Sequence, residues 1–128
     1  MFIVDAHLDL SMNATEWNRD LTQSLADIRA REKNMKDKAD RGNNTVCFEE
    51  LRKGNIGLVV ATQIARYVAA DNPLPGWHSP AQAWAHTQGQ LAWYKAMEAL
   101  GELRMIRNKT ELAAHISYWN EDSKDQSQ

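Results

Sequence analysis

The chain has 128 residues, of which 43% are hydrophobic and 25% charged, so it is one soluble-type domain or part of a larger one. Fifteen Lys+Arg against 17 Asp+Glu leave a net charge of −2, which excludes the basic surplus of an electrostatic nucleic-acid binder. No apolar run approaches the roughly 20 residues of a membrane span. Nor does the N-terminus carry the basic segment of a signal peptide, and the cytoplasm is the expected location.

Met1 to Leu10 reads as a strand, with Phe2-Ile3-Val4 apolar and Asp5-Ala6-His7-Leu8-Asp9-Leu10 alternating at a period of two. Asn18 to about Asp40 has the propensity and the rough stripe (Leu21, Leu25, Ile28, Met35) of a helix, closed by the turn Gly42-Asn43-Asn44. Phe48 to Lys53 is a short helix ended by Gly54. Ile56 to Ala65 is a nearly continuous apolar strand, which implies cover on both faces and a parallel sheet. Asp71 to His78 is a Pro/Gly loop. Ser79-Pro80-Ala81-Gln82 is a capped helix start, and that helix is expected to run to Leu100 and stop at Gly101. Leu103 to Ile106 reads as a short extended segment, and Thr110 as the cap of a last helix reaching about Trp119. Residues 120–128 have no apolar side chain and are expected to be a disordered tail. Strands alternating with helices make the fold α/β. Two strands are too few to cover such a sheet, so residues 1–119 read as the opening βα units of a larger domain.

The chemistry concentrates in Asp5-Ala6-His7-Leu8-Asp9. Residues two apart on a strand share a face about 6–7 Å apart, so His7 and Asp9 can aim an imidazole nitrogen and a carboxylate oxygen at one point. A zinc-type ion accepts that donor pair, with Asp5 one step back suited to hold the strand or orient a ligand. Two ligands leave a catalytic site short of the usual three. The other histidines have blander readings: His78 a solvated loop residue, His86 boundary packing on the long helix, and His115 partly buried on the last helix. Cys47, the single cysteine, excludes a disulfide and reads as a small buried hydrophobe. The five Trp read as helix packing more than as a pocket lining. Glu49-Glu50 and Arg31 to Arg41 read as solvated charged faces.

Ile3-Val4-Asp5-Ala6-His7-Leu8-Asp9-Leu10 resembles the opening strand of the membrane (renal) dipeptidases, zinc metallopeptidases of the amidohydrolase-like superfamily built on a (β/α)8 TIM-like barrel. Phe48-Glu49-Glu50-Leu51-Arg52-Lys53-Gly54-Asn55-Ile56-Gly57 resembles the family's Leu-Arg-x-Gly-x-Val-Gly segment leading into the second strand, at the family's spacing. Ala6 and Leu8 depart from the usual Gly and Asn and leave the ligand positions intact. The resemblance implies that His7 and Asp9 are ligands of one of two zinc ions, and that the complete enzyme hydrolyses dipeptides with a hydroxide bridging those ions. It covers almost the whole chain but only the first third or so of the family's length. The bridging Glu, two later His ligands and a proton-handling Asp are expected beyond Gln128, so the fragment by itself is expected to bind zinc weakly or not at all and to be inactive. Two other readings stand beside it. One is a non-catalytic α/β module whose open sheet edge pairs with a second copy or a complementing chain. The other is a different amidohydrolase-type metal hydrolase.

Overall fold

The computed structural model describes residues 3–125. Its elements are β1 (Ile3–Leu8), α1 (Leu10–Thr15), α2 (Leu25–Glu32), α3 (Phe48–Lys53), β2 (Ile56–Ala61), α4 (Pro80–Ala99) and α5 (Lys109–Asp125). The protein is mixed α/β, with β1 and β2 side by side and parallel. Parallel strands require a long crossover, here supplied by α1, α2 and α3. Register slips twice, and between Asp5↔Val59 and Leu8↔Ala61 β1 advances three residues against two on β2. Among the described residues no helix is long and apolar enough to cross a membrane.

Both strands are shorter than their apolar patterns suggest. β1 gives way at Asp9, whose φ −88° and ψ 53° leave the extended region, and Leu10 opens α1 instead of closing the strand. β2 ends at Ala61, and the expected burial of both its faces is not met. Its first four residues are half-buried, Val60 is 57% exposed, and Ala61 is exposed too. The physical reason is the single neighbouring strand: β1 pairs with one edge, and the helices that pack on the sheet leave Val60 open to solvent.

The core gathers Leu10, Leu21, Ile28, Cys47, Phe48, Tyr94 and Met97, with Leu8, Leu51 and Trp93 packed against it. Cys47 is fully buried, as expected of a small hydrophobe. Trp93 stacks on Phe48 at 6.1 Å and meets Tyr94 edge-on, whereas Trp84 is exposed. α4 starts as its sequence implies: the Ser79 hydroxyl accepts from the Gln82 N–H, Pro80 occupies the first turn, and Gly101 at φ +79° follows its end. α3 also has the expected bounds, but its glycine does not take the left-handed role. Gly54 sits at φ −77°, and the positive φ falls on Asn55.

The long helix expected over 18–40 is reduced to the eight residues of α2. Thr22 turns back onto the Asp20 carboxylate, and Ser24 caps the start by accepting from Asp27 N–H. Past Glu32 the chain folds back on that carboxylate. Arg19 donates to both of its oxygens at 2.8 and 3.1 Å, Arg41 at 2.6 Å, and the Gly42 N–H at 2.8 Å. Arg19 and Glu32 side chains are each 3% exposed. The charged stretch from Arg31 to Arg41 is therefore not simply a solvated face. It supplies a buried ionic clasp, extended outward by Asp37 and Asp40.

Leu103 to Ile106 is irregular chain, held where Glu98 accepts from Met105 N–H. The cap of α5 is Asn108 and not Thr110, because its side chain accepts from Glu111 N–H and donates to the Glu111 carboxylate. α5 extends to Asp125, past the Trp119 end of its apolar pattern. Residues 126–128 of the expected tail lie outside the described residues.

Candidate metal centre

The C-terminal end of β1 carries the chemistry-bearing cluster, and the local backbone explains how it is arranged. The extra residue between Asp5 and Leu8 breaks the even alternation, and within that stretch His7 N–H donates to the Asp5 carboxylate at 2.9 Å. Asp5 thus holds the backbone of the strand at His7. Beyond Leu8 the turn into α1 swings Asp9 back toward His7. Their side chains meet with His7 Nε2 3.3 Å from Asp9 Oδ1. His7 is 70% exposed and Asp9 28%, so the pair lies open at the strand's end.

That separation can be tested against a metal. Two donors each about 2.0–2.2 Å from a tetrahedral ion stand about 3.3–3.6 Å apart. The His7–Asp9 distance falls within this range, and imidazole nitrogen with carboxylate oxygen is a donor set that zinc accepts. The two residues therefore fit as half of a tetrahedral shell. Among the described residues no group of three or more His, Cys, Asp or Glu is placed to hold a metal ion.

The remaining histidines stand elsewhere. His86 Nε2 lies 3.1 Å from Glu16 Oε1, linking α4 to the end of α1, and its ring tilts against Trp77 at 4.9 Å. This is more than boundary packing, since it joins two elements through a polar contact. His115 is half-buried and reaches from α5 to the Gly57 carbonyl of β2 at 2.6 Å. His78 is exposed in its loop.

One residue escaped the sequence reading. The hydroxyl of Thr62, just past β2, donates to Asp9 Oδ1, and its backbone N–H donates to the Leu8 carbonyl at 3.2 Å. A signal was available in the order of elements, since parallel strands place the residues after their C-terminal ends side by side. Its exact partner depended on a register that composition does not reveal. Thr62 is in turn held by a buried polar network. Its carbonyl accepts from Ser11 Oγ at 3.0 Å and from the Tyr94 hydroxyl at 2.8 Å. Gln90, fully buried, accepts from Ser11 Oγ at 3.0 Å and from Ile64 N–H at 2.8 Å, and donates to the Ile64 carbonyl at 2.5 Å. The segment leaving β2 is thereby fixed to α1 and α4. The chain matches no protein-family model, no curated protein and no solved structure in comparisons with known proteins.

Proposed function

We propose that this chain is the N-terminal segment of a zinc-dependent dipeptidase with an amidohydrolase-like barrel, in which His7 and Asp9 hold one metal ion. The observation that carries the reading is the approach of His7 Nε2 to Asp9 Oδ1 at 3.3 Å, at the C-terminal end of the first of two parallel strands. In α/β barrels that end of the strands is where catalytic groups gather. Bound there, a zinc ion supplies Lewis acidity toward a peptide carbonyl and acidifies a coordinated water. His7 and Asp9 contribute one neutral and one anionic donor, and Asp5 keeps the His7 backbone in place through its amide. Two donors do not assemble a hydrolytic centre, so the reading assigns weak zinc binding and no dipeptide hydrolysis to the 128 residues taken alone. Its test is a zinc titration of the purified chain beside His7→Ala. Binding by the parent at a single site, lost in His7→Ala, supports the assignment. Equal binding by both removes His7 from the site, and chelator-sensitive cleavage of dipeptides by the chain alone overturns its incompleteness.

A further inference from the structure

We infer that Thr62 is the positioning residue for the Asp9 carboxylate, an inference that rests on the metal-binding reading of His7 and Asp9. Asp9 follows the strand in an irregular turn and stands at the N-cap of α1, where its side chain makes no capping hydrogen bond, so the helix it precedes does not fix the carboxylate. The fixing contact comes across the sheet, from the Thr62 hydroxyl to Asp9 Oδ1, the same oxygen that faces His7 Nε2. A carboxylate oxygen has two lone-pair directions and can accept one hydrogen bond while serving a metal with the other. Holding that oxygen fixes which direction remains for the ion, as partners of ligating side chains do in metal sites generally.

The arrangement behind Thr62 has the character of a support. Its N–H is taken by Leu8 and its carbonyl by Ser11 and Tyr94, so the backbone is fastened from both sides and leaves the side chain free to turn to Asp9. Gln90 fastens the chain two residues later. Val at this position would keep those backbone bonds and fill nearly the same volume, so only the hydroxyl distinguishes threonine here. That hydroxyl also lies 3.4 Å from the Leu8 carbonyl, but its contact with Asp9 Oδ1 is much the shorter.

The experiment compares the full chain with Thr62→Val, Thr62→Ser and His7→Ala, reading zinc affinity by competition with Co²⁺ and the visible Co²⁺ spectrum. The expected result is zinc affinity about tenfold weaker in Thr62→Val with an altered Co²⁺ band, restoration by Thr62→Ser, and unchanged thermal midpoints. If Thr62→Val does not fold, Thr62→Ala against Thr62→Ser makes the same comparison at nearly equal size. Affinity in Thr62→Val equal to the parent's, with His7→Ala still losing the metal, overturns the role of Thr62 and leaves the His7–Asp9 reading standing. Zinc affinity as weak in Thr62→Ser as in Thr62→Val likewise overturns the role of the hydroxyl. Identical behaviour of the parent and His7→Ala overturns the metal reading and the role of Thr62 with it.

Discussion

Glu32 shows how far a single side chain can redirect the chain. Its carboxyl is held down at about 2, first by the Arg19 guanidinium, with the Gly42 N–H and Arg41 adding to it. The folded value lies below the ordinary 4.5, so the stabilisation is complete above about pH 4.5 and is lost as pH falls from there toward 2. Glu32→Gln leaves Arg19 buried without its main counter-charge and is expected to cost about 3 kcal/mol. Denaturant melts of both forms between pH 7 and pH 2 check this: the parent should lose most of its advantage over the variant below pH 4. None of it was legible in the sequence, where Arg31 to Arg41 carries the composition of a solvated surface. Burial of Glu32 depends on Arg19 and Arg41 arriving from both sides, which local pattern does not encode. The approach of His7 to Asp9 was expected from a spacing of two along a strand, but it arises differently: Asp9 lies past the strand's end, and the turn into α1 brings its carboxylate to His7.

Among the elements, those with strong local signals fell where the residues placed them. Ser79 with Pro80 starts α4, and Phe48 to Lys53 is α3. Ser79→Ala is expected to cost about 1 kcal/mol, read as a lower thermal midpoint with fraying of the first turn of α4. α2 and the start of α5 differ from the pattern because side chains compete for the backbone there: Asp20 and Ser24 delay α2, and Asn108 takes the cap from Thr110. α5 is tied to the sheet by the His115 contact to Gly57. His115→Ala is expected to cost about 1 kcal/mol and to raise amide exchange in α5 more than in α4. Hydrogen exchange resolved by segment checks it, and equal loosening of both helices would contradict the anchoring role.

At the scale of the whole molecule, the α/β character was legible from alternating strand and helix patterns, and the two-stranded parallel sheet follows from it. The shortage of cover was legible too, since two strands are too few to bury such a sheet. A continuous apolar run implies two packed faces, yet Val4 and Val60 remain more than half exposed. Between β2 and the α4–α5 side lies an open groove of about 750 Å³, lined by Ile56, Leu58, Leu91, Leu103 and Ile106 among others. The chain is accordingly expected to bind a hydrophobic dye such as ANS while keeping its helical circular dichroism. Dye fluorescence no greater than for a well-packed domain of this size would show that the groove closes in solution. The alternative of a non-catalytic module that pairs through its sheet edge has its own signature: a monodisperse dimer by light scattering that takes up no zinc.

Whether His7 and Asp9 form a metal-binding pair at the end of β1 is tested most directly by diffraction at the zinc absorption edge, from crystals of the chain grown with zinc. The predicted result is an anomalous peak about 2.0–2.2 Å from both His7 Nε2 and Asp9 Oδ1. Zinc seated instead between His86 and Glu16, or at no site shared by His7 and Asp9, would contradict it.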